Sequence, residues 1–294
     1  MKFLNYGSVN IDLVFTVDHM VEPGETLSSS SFFRSAGGKG ANQSAALAKA
    51  GASVTHAGKI GSDGQFLVDL LLGYGVDTSL IRLYEGATGQ ALIQLDKHKQ
   101  NAIVLYGGGN VQITVGEIDE SLSLFVAGDM LVLQNEIVHT SYLIEQAKKK
   151  GMNVCLNTAP FDEKILALPL QLVDILVVNE IEGAALANTA KGASFDQVLD
   201  ALVEAYPEGE IVLTVGKGGA YYGYKEVRLH EPIYDLPVVD TTAAGDTFIG
   251  YFLTSRSLGH DNQSSLRYAC KASGLAVSRL GAMGSIPLAS EVFG

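Results

Sequence analysis

The stretch MLVLQNEIVHTSYLIEQAKKKGMNVCL, residues 130–156, decides the fold class. Met130–Gln134 and Asn153–Leu156 are short β-rich apolar runs that read as buried strands. Between them Thr140–Lys150 reads as a helix, closed by Gly151 as its C-terminal stop. The same alternation continues outward in both directions. Phe3–Tyr6, Ile175–Val178 and Ile211–Val215 read as further strands. Thr114 and Glu117 form a capping box for a helix through Phe125, and Ala184–Ala190 and Phe195–Tyr206 read as helices. Strands alternating with helices at this spacing imply an α/β fold, a mostly parallel sheet with helices on both faces. Ligands of such sheets bind beyond the carboxyl ends of the strands.

Two segments break the alternation. Residues 13–36 and 88–108 read as strands and turns without helices, with Asp96–Lys99 as a hairpin tip. They are expected to pair as a small β-layer attached to one domain that spans residues 1–294. The chain has no internal repeat and no Pro- or Ser-rich linker.

Bulk composition narrows the function. The 294 residues are 47% hydrophobic, enough to bury a large core. No apolar run approaches the roughly 18 residues that cross a bilayer, and the N-terminus does not read as a signal peptide. The cysteines, Cys155 and Cys270, lie far apart in apolar patterns, as buried free thiols of a reducing compartment do. A cytoplasmic protein is expected, with neither nucleic acid nor membrane as partner, because a net charge of −12 repels polyanions. Any phosphate site must therefore draw on backbone amides, helix N-termini and a metal ion. The six histidines show no metal-ligand spacing, and HExxH, CxxC, GxSxG and GxGxxG are all absent.

The sharpest chemical signal is Asp240-Thr241-Thr242-Ala243-Ala244-Gly245-Asp246-Thr247-Phe248, running into a helix to Leu258. The small residues bring backbone N–H groups to a first helical turn, an anion hole with the dipole behind it. Asp246 stands where it could take a proton from an attacking hydroxyl. Read alone, the block is equally an ordinary helix start. The second signal is Gly37-Gly38-Lys39-Gly40-Ala41-Asn42-Gln43, running into a helix over Ser44–Ala50. Lys39 opposes the dipole of that helix, which a surface lysine would gain nothing by doing. Weaker signals follow strand ends: Asn10 and Asp12, Glu136, Asn179 and Glu182, and the glycine turn after Thr214. Each of these is alone also an ordinary turn, cap or surface acid.

Together these residues resemble the ribokinase-like sugar kinases of the phosphofructokinase-B (PfkB) family. Ala36–Gln43 and Asp240–Phe248 resemble the family's two signature regions in content, order and spacing, with Asn179-Glu180-Ile181-Glu182 between them. The likeness runs essentially end to end. It implies that Asp246 is the base toward a sugar hydroxyl attacking the γ-phosphate of ATP, with Ala243, Ala244, Gly245 and the Asp246 amide as anion hole. Asn10, Asp12, Gly38, Lys39, Asn42 and Glu136 match sugar-binding positions. Asn179 and Glu182 match a motif that organises Mg²⁺ and its waters. ATP would further meet Thr214, Gly216, Gly219, Gly245 and Cys270. A monovalent cation, K⁺, would involve Asp240, Thr242, Ala276, Arg279, Gly281 and Ser285. The small β-layer would be a lid over the sugar and a homodimer contact.

The sugar-facing set favours D-ribose, phosphorylated on O5, since Asp12 can bridge adjacent ribose hydroxyls. Another sugar, a sugar acid or a nucleoside is the alternative, and a non-catalytic sugar or nucleotide sensor a remote one. Asn135, Ile249, Cys270 and Tyr106–Asn110 depart from the family pattern. They bear on the substrate rather than on the reaction.

Overall fold

The computed structural model describes residues 1–98 and 100–294. Its strands are β1 Phe3–Tyr6, β2 Asn10–Thr16, β3 Ser31–Gly37, β4 Val54–Ile60, β5 Asp77–Leu83, β6 Gly89–Leu95, β7 Asn101–Tyr106, β8 Met130–Gln134, β9 Asn153–Asn157, β10 Ile175–Asn179, β11 Glu210–Thr214, β12 Ala220–Tyr224 and β13 Val227–Glu231. The helices are α1 Lys39–Lys49, α2 Gln65–Gly73, α3 Val115–Ser123, α4 Thr140–Lys149, α5 Glu180–Leu186, α6 Phe195–Ala205, α7 Ala244–Ser257, α8 Asn262–Val277 and α9 Ala289–Val292.

The large sheet has the order β13-β12-β11-β10-β9-β8-β1-β4-β5, parallel from β5 to β11 and antiparallel at β12 and β13. Side chains of successive strand residues alternate between its faces. On one face Phe3, Val132, Val177 and Val212 pack with α1, α2, α7 and α8. On the other, Leu4, Leu131, Leu176 and Leu213 pack with α3, α4, α5 and α6. The α/β architecture expected from residues 130–156 is therefore the one observed. No helix of the described residues is long and apolar enough to cross a membrane.

A separate four-stranded sheet has the order β3-β2-β6-β7. It begins at Asn10, three residues before the expected segment, and residues 17–30 add no strand to it. The β6–β7 hairpin turns through Asp96, whose carboxylate accepts from the N–H groups of His98 and Gln100. Lys99, which was read as part of that tip, lies outside the described residues.

Helix starts differ from expectation in two places, each for a local reason. α5 begins at Glu180 instead of Ala184, because Asn179 Oδ1 accepts from Ile181 and Glu182 N–H at 2.9 Å while Glu182 bonds back to the Asn179 N–H. That is a full capping box. α1 begins at Lys39 instead of Ser44, so Gly40 lies inside the helix. A side chain at Gly40 would strike the Gly7 backbone at 2.5 Å, and its absence lets α1 lie against the β1–β2 turn.

Candidate active site

The signature blocks meet because α1 and α7 pack closely. A Cβ on Gly250 would sit 2.4 Å from Ala46 Cβ, so glycine there lets the two helices touch. Their first turns then face each other. Asp246 is buried, and both carboxylate oxygens are held by α1: Oδ2 accepts from Asn42 Nδ2 at 3.0 Å and Oδ1 from Gln43 Nε2 at 2.9 Å.

The N-termini of the two helices differ in a way that matters for anions. In α1 the leading N–H groups are taken: Lys39 N–H donates to Glu136 Oε2 at 3.0 Å, Gly40 N–H to Ser8 Oγ at 3.3 Å and Ala41 N–H to the Ser8 carbonyl at 2.9 Å. In α7 no side chain caps the end, and Ala243 before it holds a left-handed conformation, φ 59°. The Ala244 N–H donates to the Thr241 carbonyl at 3.3 Å, while those of Gly245 and Asp246 have no intrahelical acceptor. They open on a cavity of about 210 Å³ lined by Ala243, Ala244, Gly245, Asp246, Lys39 and Thr241. Asn157, Asn179 and Thr214 close it from the ends of β9, β10 and β11, with Glu182 beside them. This is the position beyond the strand ends that the topology implies.

Lys39 supplies the positive charge of this cavity. Burial works against its ammonium, but Asp246, Glu136 and Glu182 outweigh that and hold it above its ordinary range. Glu136 also accepts from the Ser8 hydroxyl. Burial pushes Glu136 up, opposed by Ser8 and Lys39.

A second cavity, about 300 Å³, is lined by Asn10, Asn110, Glu136, Leu105, Tyr106 and Ile137, among others. The Lys39–Glu136 bond links a residue of the first lining to one of the second. Asn110 positions Asn10, donating to its Oδ1 at 2.7 Å and accepting from the Val9 N–H at 3.0 Å. Asp12 lines neither cavity. Its carboxylate lies over Gly37, where a Cβ would be 2.2 Å from each oxygen. Burial, then the Glu136 charge, pushes Asp12 up to about 7.

The remaining candidates fall as follows. Gly38 holds φ 94° at the start of α1. Glu182 Oε2 also accepts from Thr158 Oγ1 at 2.9 Å. Gly216 and Gly219 form the turn after Thr214, at φ 51° and 89°. Cys270 lines neither cavity; it is buried against the Glu231 carbonyl at 3.8 Å, and burial pushes its thiol up to about 12. Asp240 accepts from Thr242 N–H and Oγ1 and from Gly281 N–H, bonds that hold its carboxyl low against the opposing effect of burial. Arg279 instead pairs with Glu291, and Ser285 donates to the Ala282 carbonyl. Ala276 is fully buried in α8. Sequence reasoning missed Ser8, Asn110 and Asn157 and left Thr241 and Gln43 without a role inside their blocks; the partners of Ser8, Asn110 and Gln43 are distant in the chain.

The family profile described as pfkB family carbohydrate kinase matches residues 2–289. The chain is 36% identical to the ribokinase of Staphylococcus aureus, with 99% of this chain and 98% of that protein covered. A ribokinase of Cryptococcus neoformans in complex with ADP superposes with a TM-score of 0.89 at 31% identity, covering 99% and 98% of the two chains. The ribokinase of Arabidopsis thaliana complexed with ribose and ATP superposes with a TM-score of 0.90 at 28% identity, covering 99% and 97%.

Proposed function

The chain belongs to the pfkB family of carbohydrate kinases, and we propose that it phosphorylates D-ribose on O5 with ATP as donor. One observation carries the chemistry: a buried carboxylate, Asp246, stands at the uncapped first turn of α7, beside the Gly245 amide, in a cavity that also holds Lys39. End-to-end similarity to ribokinases supports the choice of sugar.

The sugar hydroxyl gives its proton to Asp246 as its oxygen attacks the γ-phosphorus. The new P–O bond forms as the bond to the β–γ bridging oxygen breaks, and ADP leaves with that electron pair. Amides of 243–246 and the Lys39 ammonium meet the charge on the transferring group, in a site where such charges count for more than in water. A loose phosphoryl-transfer transition state asks little of this base, because the proton leaves late. Asn10, Asp12, Gly38, Asn42 and Glu136 would hold the sugar, and Thr214, Gly216, Gly219 and Cys270 would lie along the nucleotide.

Among the described residues no group of three or more His, Cys, Asp or Glu could hold a metal ion alone. Mg²⁺ fits such a site, since it commonly binds through one or two protein oxygens plus phosphates and waters. Glu182 and Asn179 would hold those waters, and the ion would neutralise phosphate charge when bound. Asp240 and Thr242, with the backbone of 276–285, would hold K⁺. The small sheet would act as a lid, and a second copy would cover its exposed Phe32, Phe33, Ile103 and Val104. A cytoplasmic location is in keeping with two free, buried cysteines.

A second reading, a bulkier substrate such as a nucleoside, is favoured by the apolar wall of the second cavity, Leu105, Tyr106, Ile137 and Val138. ADP release with Mg-ATP and K⁺ separates the two across D-ribose, 2-deoxyribose, D-fructose, 2-keto-3-deoxygluconate, adenosine and uridine. Preference for D-ribose with phosphate on O5 is expected. Preference for a nucleoside would overturn the sugar assignment, and ATP binding without turnover on any of them would point to a sensor.

A further inference from the structure

Three buried polar side chains, Asn5, Gln43 and Gln134, have no part in the mechanism above. Asn5 and Gln134 sit on neighbouring strands in the middle of the large sheet, where an apolar residue would pack at lower cost. We propose that Gln43 is a positioning residue for Asp246 and that Asn5 and Gln134 set the direction in which its amide points. The proposal rests on Asp246 being the base.

The direction follows from one atom that can only accept. Asn5 Nδ2 donates to the Gly40 carbonyl at 2.8 Å, and also to Ser44 Oγ at 2.8 Å. Asn5 Oδ1 therefore faces Gln134, whose Nε2 donates to it at 2.9 Å. The same Nε2 donates to Gln43 Oε1 at 2.7 Å. With its carbonyl so held, Gln43 presents Nε2 to Asp246. Gln134 Oε1 is left buried without a partner. Turning that amide round would set its oxygen against two further carbonyl oxygens, so the bare oxygen is the lesser cost.

Asp246 thus meets a donor that cannot rotate into an acceptor. Asn42 also holds Asp246, but it belongs to the sugar-binding set and can exchange partners when sugar arrives. Gln43 is the anchor that stays. The charged groups around Asp246 are Lys39 on α1 and Glu136 after β8, with Glu182 on α5 acting on Lys39.

Gln134→Met keeps the volume and removes both donors without adding charge. Thermal melting checks its fold, and steady-state kinetics separate kcat from the KM values. The expected result is a kcat lower by about 10²-fold, the scale of a misplaced reacting group, with KM for ATP and ribose within about threefold. Gln43→Glu puts a second carboxylate against Asp246 and is expected to move the acid limb of the kcat–pH profile to higher pH. A folded Gln134→Met with wild-type kcat overturns the proposal. Should that variant not fold, Gln43→Glu decides, and an unmoved acid limb overturns it. Asp246→Asn at near wild-type kcat would instead sink the base assignment, a separate failure.

Discussion

Asn42 Nδ2 donates to Asp246 Oδ2 at 3.0 Å, tying the first turn of α1 to the first turn of α7 across 204 positions of sequence. The contact joins the two blocks that resemble a kinase signature, and it needs the close approach of Gly250 to Ala46. Gly250, one turn beyond Asp246 on α7, therefore sets the distance between Asp246 and Asn42.

Gly37→Ala tests how Asp12 is seated. The added methyl would lie 2.2 Å from both carboxylate oxygens, so Asp12 must move. Overpacking of this kind costs about 1–3 kcal/mol, which as lost sugar binding raises KM for ribose by roughly 5- to 150-fold. KM for ATP is expected to hold. Kinetics with each substrate varied in turn check this, and equal rises in both would contradict it.

Asp12 also predicts a pH dependence. Pushed up to about 7, it carries a proton below that pH in the free enzyme. Sugar hydroxyls donate to the ionised form, so kcat/KM for ribose should rise with pH through about 7 and then level. Asp12→Asn should lose that limb. Stability runs the other way: the folded chain keeps a proton that the unfolded chain releases at its ordinary 3.8, so stability falls as pH rises from there to about 7.

His56 predicts the opposite slope at acid pH. It is fully buried opposite Asn5, bonded through Nδ1 to Ser44 Oγ at 2.8 Å, and burial pushes it down to about 4. The unfolded chain takes up the proton first, near 6.5, so stability is lost as pH falls from there toward about 4. The loss is on the order of 3 kcal/mol. Denaturant titrations of the wild type and His56→Gln across that range check it; identical pH slopes would refute it.

Much of this was legible in the sequence where structure is local. The strand–helix–strand at residues 130–156, the Thr114 and Asn179 capping residues and the glycine blocks each carry their own signal. Other parts were not legible because distant partners decide them. β4 contains His56 and Lys59, which spoil an apolar run; Lys59 is nonetheless buried because Glu117 pairs with it at 2.7 Å and the Gln112 carbonyl accepts from it at 2.7 Å. β13 is mostly exposed at the sheet edge, and its apolar–polar alternation runs only from Val227 to His230. That Lys39 lines the cavity of the anion hole and that Asn42 bonds Asp246 are relationships that only the packing of α1 against α7 creates.

The most direct test of the central claim is the kcat of Asp246→Asn with saturating Mg-ATP and D-ribose. A positioned general base contributes about 10²–10⁴-fold in rate, so a fall of that size is predicted, with ATP and ribose binding little changed. Turnover near the wild-type rate would contradict the assignment of Asp246 as the base.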